Sequence, residues 1–346
     1  MQSQNIRSSC KECLDSFFKN TKSISHKKIM IDVSVVIVSW NVCRYLDECI
    51  ESLHQCAEVN FTYDKESNDK KYLGEIIVID SNSSDNTLEM LNKYPNVIVI
   101  PQKNNIGYLK GNNLGAKIAK GEFLFILNPD TLVYPKTIST MINYMRGDKS
   151  LGGCSPWISN AEGYVQIPKK FPSLGGVAFC LPIFKKYPKK FLEKETLLRM
   201  PLGDFTLVEW IDGCSIFTRK EIFELINGFD EDFTMFAEEK DLCMRMKKAG
   251  WGKMIVVHDA KLLHYGGRST ENNQIVKHVD YWFGDLLYFR KHHSKLETQI
   301  LKISILLCYT WLCFVIQFGI SKRFGKDYFD IFLKTIKIVS EFKINV

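Results

Sequence analysis

The first third of the chain alternates short apolar runs with helical patterns, and this alternation restricts the fold more than any other feature. Runs at 33–38, 75–80, 97–101 and 123–127 are rich in β-branched or other apolar residues, as in strands buried on both faces of a sheet. Helical patterns separate them. Strands that alternate with helices form βαβ units with right-handed crossovers. The sequence therefore predicts an α/β fold with a mainly parallel central sheet flanked by helices.

Polar residues stand where three of these predicted strands end. Asn41 follows the first run, Asp80 ends the second and Asp130 follows the fourth. In open α/β sheets ligands bind at this edge. The turn at 39–42 lacks the glycines that a dinucleotide pyrophosphate needs, which disfavours a Rossmann dehydrogenase. A divalent cation, Mg²⁺ or Mn²⁺, held by Asp130 would neutralise a diphosphate instead. The simpler interpretation of the segment around Asp130 is a turn that caps the next helix.

Two segments of the second half carry groups suited to catalysis. An acidic cluster, Glu238, Glu239 and Asp241, opens a predicted helix. It supplies a general base for an attacking hydroxyl, or it only complements the positive end of the helix dipole. His264 follows a predicted strand and precedes two glycines, so it is either a second cation ligand or a structural histidine.

Five segments, taken in order and with their spacing, resemble family 2 glycosyltransferases of the GT-A fold, particularly the rhamnosyltransferase subgroup. The resemblance covers 33–131 and 208–270. It implies a GT-A nucleotide-diphospho-sugar transferase fold and an inverting, metal-dependent transfer of a sugar, with rhamnose as one candidate. The donor would be a dTDP- or UDP-sugar, and the acceptor a hydroxyl of a glycan or lipid-linked glycan. The matching segments are VSVVIVSWN, IIVIDSNSSDNT, NNIGYLKGNNLGAKIAKGEFLFILNPDT, WIDGCSIFTRKEIFELINGFDEDFTMFAEEKDLCMRMKKAGW and HYGGRS.

The same resemblance assigns roles around the donor. It implies that Asp80 contacts the nucleobase, that Gly107 and Asn113 belong to the donor-binding loop and helix, and that Asp212 and Gly213 line the sugar and acceptor pocket. The predicted donor-binding residues are Asn41, Asp80, Gly107, Asn113, Asp130, Asp212 and Gly213.

The resemblance also implies that Asp130 and His264 bind the metal and that the base is the aspartate of a Glu-Asp pair. Here that position is Glu239, after Glu238. A glutamate reaches one methylene further, and a misplacement of about 1 Å costs roughly a hundredfold in rate. Three outcomes stay open: Glu239 acts from a shifted backbone, Glu238 or Asp241 replaces it, or the chain is a weakly active or inactive nucleotide-sugar-binding protein. A sugar nucleotidyltransferase is a further alternative.

Composition and patterning suggest a polar leader over 1–31, a catalytic domain over 32–275 and a C-terminal helical extension over 276–346. Within the catalytic domain, 32–131 would bind the donor and 132–275 the acceptor. The segment 303–320 has eighteen residues without a charge, close to the length that spans a bilayer. Its central Tyr, Trp and Gln residues favour a helix in the membrane plane over a crossing. A core helix is the alternative.

The charge and the cysteines indicate the compartment and the partners. The net charge of +7 is spread along the chain, which fits a phosphate-bearing ligand or a membrane surface and argues against a nucleic-acid binder. The eleven cysteines form no regular framework, and no signal peptide is visible. We therefore expect reduced thiols in the cytoplasm, with the enzyme at the cytoplasmic face of a membrane.

Overall fold

The computed structural model describes most of the chain, and Ile31–Val346 groups as one compact unit. The described residues are 30–61, 70–160, 162, 165–166, 170–179, 203–266, 274–320 and 327–344. The predicted leader at 1–31 lies almost wholly outside them, as do 267–269 after His264 and most of the predicted acceptor loops at 180–202.

The described residues contain strands and helices in alternation. The strands are β1 (Val33–Ser39), β2 (Val59–Asn60), β3 (Tyr72–Asp80), β4 (Val97–Pro101), β5 (Phe123–Leu127), β6 (Thr131–Val133), β7 (Leu151–Ser159), β8 (Val165–Gln166), β9 (Phe205–Val208), β10 (Ser215–Arg219) and β11 (Lys253–His264). The helices are α1 (Cys43–His54), α2 (Thr87–Leu91), α3 (Gly107–Ile118), α4 (Thr137–Gly147), α5 (Leu174–Phe179), α6 (Lys220–Leu225), α7 (Glu238–Lys248), α8 (Gln274–His292), α9 (Lys295–Gln317) and α10 (Asp327–Glu341).

The first half of the sheet is parallel, as the alternation predicts. β1 lies between β3 and β5, with Val33 opposite both Gly74 and Phe123. β4 adds in parallel beyond β3, where Asp80 pairs with Pro101. Because these strands run in one direction, their carboxyl ends share one edge of the sheet.

The second half makes the sheet mixed. β10 is antiparallel to both β5 and β7, and β11 is parallel to β7 but antiparallel to β6 and β9. The expectation of a mainly parallel sheet thus holds for the first half only. β6 occupies 131–133, where a helix-capping turn was the simpler interpretation of the sequence. The strand forms by pairing with 262–264 of β11, a partner too distant in sequence for the local pattern to reveal.

Alternate residues of β1 face two different cores, as the period of two of a strand requires. Val35 and Ile37 pack in a cluster with residues of α1 and α4, whereas Val36 and Val38 pack on the other face with residues of α3 and of the C-terminal helices. All four are buried. The sheet is therefore the middle of three layers.

The C-terminal helices are part of the second of these cores. Leu286 of α8, Leu301 of α9 and Phe332 of α10 are fully buried in it. The Trp282 indole Nε1 donates a hydrogen bond to the Tyr309 hydroxyl at 2.6 Å, which joins α8 to α9. The extension is thus packed on the sheet domain through these helices.

Candidate active site

The carboxyl ends of β1 and β3 hold buried polar groups that lack partners among the described residues. Ser39 and Asp80 end these two strands as paired neighbours, and Ser81 follows directly. Ser39 Oγ, Asp80 Oδ1 and Ser81 Oγ are buried without a hydrogen bond in the described part of the chain. Buried polar atoms are almost always hydrogen-bonded, so three such atoms at one strand edge indicate a place where a polar ligand binds.

The remaining polar atoms of this edge hold the adjacent loops. Asp80 Oδ2 accepts a hydrogen bond from the Ser83 amide at 3.1 Å. Asn41, whose φ is +54°, accepts one from the Ser84 amide at 2.7 Å through its side-chain oxygen. Asn41 therefore fastens the turn after β1 to the loop after β3, and it shapes this edge through that loop.

Gly107 begins α3, and Asn113 lies near the middle of the same helix. Gly107 opens the helix with a φ of +76°, a conformation that strains other residues, and its amide donates to Asn105 Oδ1 at 2.9 Å. Asn113 is fully engaged in a structural contact. Its amide nitrogen donates to the Phe229 carbonyl at 2.9 Å, and its oxygen accepts from the Phe229 amide at 2.8 Å. The pair fixes α3 to the segment before α7.

Asp130 and His264 meet because β6 pairs with β11. His264 lies opposite Thr131 in that register, which brings its Nε2 to 3.3 Å from Asp130 Oδ1. Both residues are buried, and neither ring nitrogen of His264 has a hydrogen bond within the described residues. Burial lowers the pKa of His264, but the neighbouring Asp130 carboxylate outweighs it, so the pKa is raised. Among the described residues, no cluster of three or more potential metal ligands occurs.

The segment between β9 and β10 carries Asp212 and Gly213 to the start of α7. The Tyr108 hydroxyl donates to the Gly213 carbonyl at 2.6 Å. A methyl group placed on Gly213 would lie 3.5 Å from Glu239 Cβ and 3.8 Å from Glu238 Oε1, so both glutamates flank this glycine. Burial raises the pKa of each glutamate, and the Asp212 carboxylate adds to this effect.

Asp212 also connects this group to the Asp130 and His264 pair. The Cys214 carbonyl accepts a hydrogen bond from the Asn128 amide at 2.9 Å, which places the segment that carries Asp212 beside the loop that carries Asp130. These contacts bring the segments that carry six residues to one region of the molecule: Asp130, His264, Asp212, Gly213, Glu238 and Glu239.

Two residues in the left-handed backbone conformation precede α7 and set the direction of its first turn. Phe236 and Ala237 have φ values of +66° and +67°, which is uncommon for residues with a Cβ and costs on the order of 1–3 kcal/mol each. Gly284 of α8 packs against this backbone, and a Cβ there would come to 2.5 Å from the Phe236 carbonyl oxygen. The close approach of α8 thus helps to hold a conformation that the local sequence does not favour.

Burial governs the ionisation of the two glutamates. Removal from water raises the pKa of the Glu238 carboxyl, and the nearby Glu239 charge raises it further. Burial likewise raises the pKa of Glu239, against the lowering effect of Lys240. Lys240 donates to Asp285 Oδ1 of α8 at 3.1 Å. A carboxylate with a raised pKa is a stronger base near neutral pH than an ordinary one.

Asp241, the third member of the predicted acidic cluster, is held in ion pairs with Arg245 and His292. Arg245 Nε and His292 Nε2 each lie 2.7 Å from its carboxylate, and its side chain is only 1% exposed. The ion pair with His292 therefore ties Asp241 to α8.

We expect Asp241→Ala to destabilise the protein by about 3 kcal/mol, because it leaves the buried His292 and the largely buried Arg245 without their partner. Turnover of the folded variant should stay near that of the wild type. Thermal unfolding and kcat at a permissive temperature measure the two effects. Asp232→Ala, which removes an exposed ion pair with Lys291, is the control and should cost far less. A kcat loss like that of a Glu239 variant would instead place Asp241 in the reaction.

Sequence reasoning did not find Tyr108 or Asp285. Tyr108 lies in one of the matching segments, but nothing local shows that its hydroxyl reaches Gly213. Asp285 did have a signal, because it is a lone acid within the apolar run YWFGDLLYF, and a buried acid needs a partner. That partner, Lys240, is 45 residues away and only the fold identifies it.

Comparison with known proteins assigns the chain to a family. The glycosyl transferase family 2 model matches residues 34–219. An N-acetylglucosaminyl-diphospho-decaprenol L-rhamnosyltransferase of Mycobacterium tuberculosis is 27% identical over 216 residues, which cover 56% of this chain and 67% of that protein. Rhamnosyltransferase WbbL of Escherichia coli is 26% identical over 230 residues, 63% of this chain and 78% of that protein.

Solved structures agree on the fold. GalNAc-T7 with UDP, GalNAc and Mn²⁺ is similar with a TM-score of 0.51 and 19% identity, over 68% of this chain and 44% of that one. Staphylococcus aureus TarS is similar with a TM-score of 0.50 and 15% identity, over 90% of this chain and 50% of that one. The predicted GT-A fold and the predicted resemblance are confirmed. The chain belongs to glycosyl transferase family 2, and within it to the enzymes that resemble rhamnosyltransferases.

Proposed function

We propose that this glycosyltransferase moves a sugar from a nucleoside diphosphate donor to an acceptor hydroxyl in one inverting, metal-assisted step. The observation that carries the proposal is that two pairs of ionisable side chains lie at one edge of the sheet. Asp130 with His264 forms the first, Glu238 with Glu239 the second, and the charge of Asp212 acts on members of both. The first pair would bind a cation next to the diphosphate of the donor. The second pair would supply the base that removes the proton of the acceptor hydroxyl.

The donor nucleotide would bind at the ends of β1 and β3. Its polar groups would satisfy the unpaired buried atoms of Ser39, Asp80 and Ser81. The relatives named as rhamnosyltransferases support rhamnose as the sugar. The nucleotide of our proposal is dTDP or UDP. We assign the donor to the half at 32–131 and the acceptor to the half at 132–275.

The Asp130 and His264 pair fits a divalent cation. A buried carboxylate faces an imidazole whose two nitrogens have no hydrogen bond in the described part of the chain, and these are ligand atoms that Mn²⁺ or Mg²⁺ accepts. Two protein ligands are enough where substrate phosphates fill further positions. When bound, the cation would stabilise the negative charge that grows on the leaving diphosphate.

The residues of the chain would carry the remaining chemistry. The acceptor oxygen forms a bond to the anomeric carbon while the bond from that carbon to the diphosphate oxygen breaks, and the nucleoside diphosphate leaves. The Glu239 carboxylate takes the acceptor proton, with Glu238 beside it as the alternative base. Attack from the face opposite the diphosphate inverts the anomeric configuration.

The acceptor would be a glycan or a lipid-linked glycan. The Mycobacterium relative carries a diphospho-decaprenol acceptor in its name, which supports an acceptor anchored in a membrane. Such an acceptor would place this enzyme at the cytoplasmic face of a bilayer.

Product analysis tests the proposal. The purified chain is incubated with a panel of dTDP- and UDP-sugars, a divalent cation and candidate lipid-linked or free glycans, and the nucleotide product is separated from the donor. We expect a nucleoside diphosphate together with a glycoside of opposite anomeric configuration to the donor. Pyrophosphate would indicate a sugar nucleotidyltransferase. Donor binding without any turnover would indicate a catalytically inactive binding protein, and retained configuration would exclude the single displacement.

A further inference from the structure

The face of α9 that points away from the protein carries a continuous apolar stripe, which we call the α9 stripe. Its members recur every three or four residues, so they lie on one face of the helix. Over about 27 Å, at 1.5 Å per residue, they leave five turns of apolar surface in solvent. Leu307, Trp311 and Phe318 are 68%, 56% and 65% exposed. The α9 stripe consists of Ile300, Ile303, Leu307, Trp311, Phe314 and Phe318.

The opposite face of α9 is committed to the protein. Leu301, Ile305 and Tyr309 are fully buried, and the Tyr309 hydroxyl accepts the hydrogen bond from Trp282. Lys302 Nζ donates to two carbonyl groups at the end of α10, those of residues 340 and 342. By length and composition α9 is able to cross a bilayer, as core helices of soluble proteins also are. A helix that crossed the bilayer would lose these contacts. Only the face that carries the α9 stripe is therefore available to a partner.

The exposed side has the side chains of a lipid interface. Trp311 and Phe314 stack with ring centroids 5.6 Å apart, and Phe314 lies 4.5 Å from Phe318. Trp and Tyr concentrate at membrane–water interfaces, where an apolar ring body and a polar edge are both accommodated. Three adjacent rings exposed along one helix face are a large apolar area to leave in water.

The charge of this region selects the kind of partner. Between residues 295 and 343 the sequence has eight Lys and Arg against four Asp and Glu. Lys295, Lys334 and Lys337 are exposed. This excess is attracted to anionic headgroups, whereas it would repel a second copy brought face to face.

We propose that the α9 stripe docks the protein on an anionic bilayer, with α9 lying in the plane of the membrane and its stripe inserted among the acyl chains near the headgroups. The surface stands on the exposure, the spacing and the charge of this region, and it does not depend on which sugar or acceptor the active site uses. The partner is therefore a lipid surface, whatever carries the acceptor.

Flotation of the full-length chain with vesicles tests the docking. One vesicle is phosphatidylcholine, and the other is phosphatidylcholine with about a third phosphatidylglycerol. The test variant is Leu307→Gln/Trp311→Gln/Phe314→Gln. The matched control, Leu207→Gln/Leu225→Gln, replaces apolar residues that are equally exposed, at 57% and 63%, but lie outside the stripe.

We expect the wild type and the control to float with the anionic vesicles and to be released in part by high salt. The partition coefficient of the stripe variant should fall by at least about tenfold, since three inserted side chains lose their apolar burial. Circular dichroism and the melting temperature of the variant should match the wild type.

Equal flotation of the stripe variant, or no flotation of the wild type, overturns the docking. So does a wild type that sediments as a dimer without lipid while the stripe variant is monomeric, because a second copy would then cover the stripe. Flotation needs neither donor nor acceptor. A failed product analysis would therefore leave this result intact, and a failed flotation would leave glycosyl transfer intact.

Discussion

Glu239→Gln is expected to lower kcat by about a thousandfold while donor affinity changes little. Glutamine preserves the shape of a half-buried side chain next to Gly213 but cannot accept the acceptor proton. A general base acts in the transition state, so its loss appears in turnover and not in ground-state binding. Steady-state release of nucleoside diphosphate gives kcat, and calorimetric titration with donor and cation gives the affinity.

Two companion variants locate the base within the pair. Glu238→Gln is the matched control, since it alters the neighbouring buried carboxylate and should leave most of the turnover. Glu239→Asp withdraws the carboxylate by one methylene and should retain partial activity. If Glu238→Gln is inactive and Glu239→Gln turns over normally, the base is Glu238.

The pH profile supplies an independent readout of the same residue. Burial raises the pKa of Glu239, and the base must be deprotonated to act. Activity should therefore fall as the pH drops through this raised pKa, at a pH above the value of about 4.3 for an ordinary glutamate. Because Glu238 and Glu239 interact, the apparent pKa of this acidic limb of the pH profile is a property of the two carboxylates together. In Glu239→Gln the residual rate should lack that acidic limb.

Asp130→Asn and His264→Ala should each reduce turnover by about 10²–10³-fold, because each removes a ligand from the site proposed to stabilise charge on the leaving diphosphate. Both should also weaken the Mn²⁺-dependent protection that a nucleoside diphosphate gives against thermal unfolding, since ligand binding stabilises the folded state by mass action. Melting curves with and without Mn²⁺ and UDP or dTDP measure this without any turnover.

Asp330→Asn, at an exposed position on α10, is the control for the lost charge and should behave as the wild type in both assays. Full activity of the wild-type protein in excess chelator would remove the cation from the mechanism. Near-normal turnover in both Asp130→Asn and His264→Ala would remove these two residues from it.

Local pattern was sufficient for the first half of the fold. The runs at 97–101 and 123–127 became β4 and β5 with their predicted bounds. Only β5 is buried on both faces as expected, whereas β4 is partly exposed. Parallel pairing alone was enough to predict that Asp80 lies next to the carboxyl end of β1. The resemblance then supplied residues that no period reveals, such as Asp212 and Gly213.

Side-chain partners and non-local pairings were beyond the pattern. A three-residue strand such as β6 has no periodicity of its own and exists because β11 passes beside it. Asn113 was expected at the donor, yet its amide is used by Phe229, more than a hundred residues away. Asp241 was grouped with Glu238 and Glu239 by adjacency, but only the fold shows that its carboxylate pairs with Arg245 and His292.

The attachment of α8 to α7 has a consequence for acceptor selection. Gly284 packs on the backbone before Glu238, Asp285 binds Lys240 and His292 binds Asp241, so three contacts fix α8 to α7. With α9 packed on α8 and resting on a bilayer, the carboxylates would stand at a fixed height above the headgroups. The enzyme would then select its acceptor by length. It would use only an acceptor whose lipid-linked part places the reacting hydroxyl at the height of the carboxylates.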